Sequence, residues 1–580
     1  MRKSLFLAVA ALMIVSMALA ACQPPAAEGP TIKTLKLNMG PGDIPTLDPS
    51  LATDTSSTQI DVMTFVGLTR QDEVTTLIGP GMATDWTYSE DGKTITFNLR
   101  NDVPWVKYDA VSDQVVQVTD CSETPAVRIV NAYDFVYGIE RTLNPATASD
   151  YAYVLSFAID GAAAYNNGET DDFSTVGVKA IDAFTLEMTF NEAAAYNANI
   201  AGMWIAYPSP SWLIDGDDCT EARGDKWTET GFFQGFGPYT MKEWVHDSYI
   251  TLVKNPFWPG TENIPAAKID EVTWTMLDEV PAFAEYEAGN IASAAVPLAD
   301  IDRVKSDPTL SQELVIAPVQ CTYYYGFNTT KPFVDDARVR RALSMAIDRQ
   351  GLIDNVLKGG QEPAQWFSRP GLAGAPTMAD HPDLGVKFDP EGAMAELQSY
   401  LDEKGITVAD VDITLMFNTS SGHQKIAEAI QQMWKDNLGL DVKLVNQEWA
   451  VYLDTIRTVD TPQIYRLGWC QDYADANNFI REVFASGGSA NPTNEDGSPA
   501  GGVMWKNDEF ESLIVQAATE LDPAARVELY AQAEEILVYT DAVMAPIYWY
   551  TRVSVTKPNV TRTYSVLGGQ ESVNKWDVTQ

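Results

Sequence analysis

The run Ile464-Tyr-Arg-Leu-Gly-Trp469-Cys470-Gln-Asp472-Tyr473 constrains this chain more than any other stretch. Ile464, Tyr465, Leu467 and Trp469 give it the look of an apolar strand, yet it ends on a carboxylate set among aromatics and beside a cysteine. Aspartate is poor in strands, and a buried charge needs a partner. A surface carboxylate at a strand end satisfies both rules. So does a carboxylate that holds a ligand's ammonium group, and the rest of the chain must decide between them.

The N-terminus bears on where such a ligand is met. Arg2 and Lys3 precede an apolar run from Leu5 to Leu19, which ends in Ala20-Ala21-Cys22. This is the order of a secretory signal: charge, apolar segment, small residues before a cut. The run is shorter than the ~20 residues a membrane span needs. Residues 1–22 are therefore expected to be a signal peptide, and Gln23 to Pro30 has the Pro/Ala-rich look of a tether. Export places the protein in an oxidising compartment. Apart from Cys22 the chain has Cys121, Cys219, Cys321 and Cys470. An even number there favours two disulfides, with three possible connectivities.

The net charge of −41 excludes nucleic acid and anionic lipid surfaces as partners, since both need a basic face. At 580 residues the chain exceeds one hydrophobic core. Strand-like and helix-like segments alternate. Lys33 to Met39, Thr94 to Arg100, Phe184 to Phe190, Ile250 to Lys254 and Tyr323 to Asn328 read as strands. Asp335 or Asp336 caps a helix with Val339, Ala342, Leu343, Ala346 and Ile347 on its apolar face. A second helix runs from His423 to Asn437 and stops at Gly439; a third starts at Asp522-Pro523. The polar stretches 107–128 and 485–502 read as loops. The fold class is α/β with several lobes.

Signals for catalysis are weak. The chain has three histidines, His246, His381 and His423, and no H-E-x-x-H, G-x-S-x-G or S-x-x-K motif. It has no C-x-x-C pair for zinc and no Gly-rich phosphate loop after a strand, so neither metal nor cofactor is expected. Paired carboxylates of a secreted hydrolase stay open as an alternative, but no pair stands out.

Several motifs point to a family. Asp335-Asp-Ala-Arg338-Val-Arg340-Arg341-Ala-Leu-Ser-Met-Ala-Ile-Asp348-Arg349, Gly235-Phe-Gly237-Pro238-Tyr239 with Trp244, Lys254-Asn255-Pro256-Phe-Trp258, Asp134-Phe135-Val136-Tyr137 with Arg141, and Leu47-Asp48-Pro49 are all present. Together they resemble the large solute-binding proteins of peptide ABC importers, extracellular solute-binding protein family 5. Cys321-Thr-Tyr-Tyr-Tyr, Asn446-Gln-Glu-Trp449 and Gly468-Trp-Cys-Gln-Asp-Tyr resemble its oligopeptide-binding members. The likeness runs from about residue 33 to 575. Leu19-Ala20-Ala21-Cys22 resembles the lipobox of bacterial lipoproteins, which implies a lipid anchor on Cys22.

The resemblance implies a three-domain, two-lobed clam of the periplasmic-binding-protein type (class II, large peptide-binding variant). Lobe I would combine 23–65, 209–320 and 552–580; a middle domain would cover 66–208; lobe II would cover 321–551. It implies an oligopeptide ligand, ABC permease transmembrane subunits as partners, a monomer, a position outside the cytoplasm and no enzymatic chemistry. An oligosaccharide, nickel chelate or opine ligand on the same fold is the alternative. By resemblance Asp472 holds the ligand's ammonium. Arg466, Arg457, His423 and Lys358 are candidates for its carboxylate, and Tyr151, Trp469 and Tyr550 line the site. The chain carries one extra residue after Leu453-Asp-Thr, ahead of Arg457, and Lys358 falls near a family lysine. A family glutamate falls at about Thr53, with Asp54 beside it. Cys321 and Cys470 match paired cysteines, which leaves Cys121 and Cys219 to pair with each other.

Overall fold

The computed structural model describes residues 32–494 and 497–579. The expected signal peptide, the lipidation of Cys22 and the tether lie outside the described residues. Among the described residues no helix is long and apolar enough to cross a membrane.

Three sheets organise the chain. In the first, Thr34–Asn38 pairs in parallel with Glu271–Thr275, and Tyr249–Lys254 and Tyr239–Val245 follow antiparallel. Leu35 and Leu37 face the core while Thr34 and Lys36 face solvent, which is the period-two pattern of a half-buried strand. The second sheet is antiparallel and lies wholly within 66–208, in the order Ala83–Tyr88, Thr94–Leu99, Thr185–Thr189 and Val178–Asp182. The third frames the site. Its order is Ser293–Ala295, Met544–Thr556, Leu314–Phe327, Ile464–Cys470, Thr414–Asn418 and Lys443–Gln447, with Glu362–Pro363 on the side of Met544–Thr556.

Two strands of this third sheet are unusually long. Leu314–Phe327 has 14 residues and Met544–Thr556 has 13, and they pair antiparallel along most of their length. Both run straight through the positions 320/321 and 551/552, where the sequence suggested a change of lobe. Their register slips twice, between Pro318 and Thr322 and between Tyr323 and Tyr324.

The expected helices form from the expected caps. Asp336 accepts the Arg338 amide at 2.9 Å and starts Ala337–Met345. That helix ends before Ala346 and Ile347 because Asp348 caps a new turn, Arg349–Leu352; both residues are buried all the same. Ser420 caps Ser421–Leu438, which buries Ile426, Ile430 and Trp434 and stops at Gly439 with φ 71°. Pro523–Glu535 starts on the Asp522 cap. The stretch 107–128 departs from expectation. It holds a hairpin, Val106–Asp109 with Gln114–Gln117, turned by Asp109 accepting the Val111 and Ser112 amides and by Asp113 at φ 53°. Two four-residue strands with polar ends are too short to show a period.

Disulfides join Cys321 to Cys470 and Cys121 to Cys219. The first links directly opposed residues of neighbouring strands. The second ties the segment after the hairpin to the loop that follows Ser211–Ile214.

Candidate functional site

Ile464–Cys470 runs between Leu314–Phe327 and Thr414–Asn418, and most of its residues are buried. Its end delivers Trp469 and Asp472 to one cavity. Two side chains orient the Asp472 segment. Asn478, fully buried in the helix Ala476–Phe484, donates Nδ2–H to Asp472 Oδ2 at 2.9 Å. The Asn478 side-chain oxygen accepts the Asp472 amide at 2.9 Å and the Trp469 indole N–H at 3.1 Å. The Tyr151 hydroxyl donates to Asp472 Oδ2 at 3.4 Å. Among the described residues no Lys, Arg or His pairs with this carboxylate. Burial pushes Asp472 up to about 7, against the pull of the Asn478 and Tyr151 hydrogen bonds.

The cavity has a volume of about 320 Å³, and Asp472, Trp469, Tyr151, Arg466, Arg457 and Tyr550 all line it. Tyr151 comes from the N-terminal end of the helix Ala152–Ala158 and stacks on Trp469, with ring centres 6.2 Å apart and planes 17° apart. Thr53 and Asp54 also line it, and Trp449 donates its indole N–H to Asp54 at 3.4 Å. The Cys321–Cys470 disulfide and the loop Gly568-Gly569-Gln570 complete the lining. A Cβ on Gly568 would lie 2.3 Å from the Cys470 sulfur, so only glycine lets that loop pack there.

Arg466 is the cationic counterpart of Asp472. It is 7 % exposed, and among the described residues no carboxylate pairs with it. Its Nη1 donates to Asn418 at 3.0 Å and its Nη2 to the Tyr550 hydroxyl at 2.5 Å. The guanidinium lies over the Tyr323 ring, 4.4 Å from its centre. The Arg466 carbonyl accepts from Tyr452, and its Nε has no partner among the described residues. A buried cation held by neutral groups alone can accept an anion from outside. Within one cavity, the site thus offers a carboxylate without a cation and a cation without a carboxylate.

The remaining candidates are placed less uniformly. His423 lines an adjoining cavity of about 420 Å³ rather than the one holding Asp472. Its Nδ1 faces the Tyr323 hydroxyl at 3.4 Å, and burial together with Arg466 holds its pKa well below the ordinary value, leaving the ring neutral. Arg457 reaches the cavity but spends its charge on Asp150, at 2.5 Å. Lys358 lines neither cavity: it ends the Ile353–Leu357 turn at φ 51°, and its ammonium sits on Asp302. That aspartate is 56 residues away in sequence, and the structure does not bring Lys358 together with Asp472 and Arg466. Asn478, Asn418 and Tyr323 belong to the site without having stood out in the sequence. A polar residue inside a helix or strand carries no local mark of what it binds; only Asp475, which caps the Asn478 helix, offers a start signal.

Comparison with known proteins agrees with this architecture. The model for bacterial extracellular solute-binding proteins, family 5 Middle, matches residues 78–491. The oligopeptide-binding protein OppA of Bacillus subtilis (strain 168) is 34 % identical over 526 residues, covering 89 % of this chain and 87 % of the relative. The solved structure of the Escherichia coli murein tripeptide binding protein MppA superposes with a TM-score of 0.79 at 29 % identity, over 95 % of this chain and 99 % of that one. The unliganded open form of MppA, also at 29 % identity, gives a TM-score of only 0.59 while covering 94 % of this chain and 97 % of that one.

Proposed function

Because the chain belongs to family 5 of the bacterial extracellular solute-binding proteins, we propose that it captures oligopeptides outside the cytoplasm and delivers them to the transmembrane permease of an ABC importer. One observation carries this reading: uncompensated Asp472 and uncompensated Arg466 share a cavity. A free peptide carries an ammonium at one end and a carboxylate at the other, whatever its sequence. A receptor for many peptides gains most by gripping those two ends and the backbone between them. Oligosaccharides and other uncharged solutes have no ammonium for Asp472 to anchor and no carboxylate to pair with Arg466. Two bare charges between aromatic walls suit reversible binding, which supports a receptor rather than an enzyme.

Closure follows from the parts that meet at the cavity. Lobe I (23–65, 209–320 and 552–580), the middle domain 66–208 and lobe II (321–551) are the proposed moving units. Thr53 and Asp54 come from the first, Tyr151 from the second, and Asp472, Arg466 and Trp449 from the third. The register slip at Pro318 to Thr322, where both long strands cross between lobes, is the proposed hinge. We also propose that Cys22 takes a lipid, becomes the new N-terminus when the signal peptide ahead of it is removed, and tethers a monomer to the membrane. Native mass spectrometry of the purified protein tests the ligand class. Retained masses that resolve into peptides support the reading, and retained saccharides or metal chelates contradict it.

A further inference from the structure

We propose that Arg70 is a specificity residue, which meets the first side chain of the ligand and favours peptides that begin with an acidic residue. The inference rests on the peptide reading above and adds a side-chain class to it. Its support is a small chamber of about 20 Å³ beside the ligand cavity. Asp472, Trp204 and Gln570 line both, so the chamber opens off the cavity at the proposed ammonium anchor.

Among the described residues that line the chamber, Arg70 is the one cation and Asp472 the one anion. The strand Thr69–Gln71, paired with Ile78–Pro80, brings Arg70 there from the proposed middle domain. That strand is held in place: the Asn263 side chain donates to the Arg70 carbonyl at 3.3 Å, and the Thr69 hydroxyl donates to the Ala198 carbonyl at 2.7 Å. A Cβ on Gly202 would lie 2.2 Å from the Thr69 hydroxyl oxygen, so the segment 199–204, which also lines the chamber, packs directly on the strand.

Arg70 is 7 % exposed and its Nη1 has no hydrogen-bond partner; among the described residues no carboxylate pairs with it. Its polar neighbour is the Tyr207 phenol, which burial pushes up and so keeps neutral. Asp61, on the far side of Tyr207's surroundings, gives no counter-ion either: burial and the nearby Asp48 and Asp54 push its carboxyl well up, and neither of its oxygens has a hydrogen-bond partner. A buried guanidinium without an anion is costly. A water shared with Gln71 Oε1, which is also buried without a partner, would meet the hydrogen bond but not the charge. A carboxylate meets both, and charge-assisted bonds are roughly twice as strong as neutral ones. The chamber has room for roughly one or two waters, about the space that two carboxylate oxygens take. With the ligand's ammonium on Asp472, the first side chain is the part of the peptide beside this chamber. An N-terminal acidic residue then sets its ammonium against Asp472 and its side-chain carboxylate against Arg70. A neutral first residue leaves Arg70 unpaired, which disfavours it.

Calorimetry with Asp-Ala-Ala and its neutral isostere Asn-Ala-Ala tests this. On the wild-type protein the Kd for Asp-Ala-Ala should be lower by about tenfold or more. In Arg70→Gln the ratio of the two should fall to about one. In Arg70→Lys, which keeps the charge but loses the planar fork, it should lie between those values. Equal Kd values on the wild type, or a wild-type ratio that survives Arg70→Gln, overturn the inference and leave the peptide reading in place. Should Arg70→Gln not fold, Arg70→Lys decides, and a ratio equal to that of the wild type overturns the inference. Wild-type protein that binds Ala-Ala-Ala but not Asp-Ala-Ala also overturns it alone. Wild-type protein that binds none of the three peptides overturns the peptide reading and this inference with it.

Discussion

Asp472 is an expensive residue to hold without a ligand. Its carboxyl is pushed up to about 7 from the ordinary 3.8. Between those values the folded protein keeps a proton that the unfolded chain has released. Stability of the unliganded protein therefore falls as pH rises through this window, and the full cost is present above about 7. Asp472→Asn removes the cost. At pH 8 the unliganded variant should be more stable than wild type by up to about 4 kcal/mol in a denaturant titration. Its peptide affinity should fall by about 3–5 kcal/mol, as when one partner of a buried pair is removed. Opposite signs separate a ligand anchor from a structural carboxylate, whose loss would weaken both. The same group sets the pH dependence of binding. An ammonium needs the ionised form, so wild-type Kd should rise about tenfold per pH unit below about 7, and Asp472→Asn should lose that slope. Asp472 draws notice in the sequence as a charge that ends an apolar strand, but only the resemblance to solute-binding proteins points it and Trp469 towards a ligand. Asn478, which holds both, draws no such notice, since its partners depend on how a helix folds back on the strand before it. The Lys358 pair is equally illegible, because its partner Asp302 is remote in sequence.

At the scale of elements, the strand Ile464–Cys470 does most of the positioning. It carries Arg466 and Trp469, leads into Asp472, and is stapled to Leu314–Phe327 by Cys321–Cys470 across a sequence separation of 149. In the chain-entropy model a loop of this size is worth up to about 5 kcal/mol. Replacing both cysteines by serine should lower denaturant stability by a few kcal/mol while leaving a folded protein. An unchanged unfolding midpoint would mean that the strand pair needs no staple. Alternation and capping residues make the principal strands and helices legible from the sequence alone: Thr34–Asn38 and Ser421–Leu438 differ from expectation by only one or two residues at their ends. The hairpin within 107–128 is not legible, because its turn is built from side chain to backbone bonds of Asp109. Nor is the pairing of two long strands through the lobe boundary, since sheet partners far apart in sequence leave no local trace.

At the scale of the whole molecule, the proposed function depends on closing the proposed lobes on one ligand. Three polar contacts join those parts at the cavity: Arg457 with Asp150, Tyr151 with Asp472 and Trp449 with Asp54. The Asp150 side chain is 52 % exposed, so its pair with Arg457 is a weak latch of ~1 kcal/mol at most. Asp150→Ala should therefore weaken peptide binding by no more than about fivefold in calorimetry; a loss of a hundredfold or more would assign Arg457 and Asp150 to the ligand itself. The closing energy must then come mainly from the ligand, gripped at both ends. The most direct test compares Ala-Ala-Ala with N-acetyl-Ala-Ala-Ala by calorimetry on the wild-type protein. Acetylation removes the ammonium and leaves the backbone and carboxylate intact. Binding of the free tripeptide with loss of most affinity on acetylation, by about 3 kcal/mol or more, is the expected result. Equal affinity for the two would contradict the role given to Asp472 and, with it, the reading of the cleft as a grip on peptide termini.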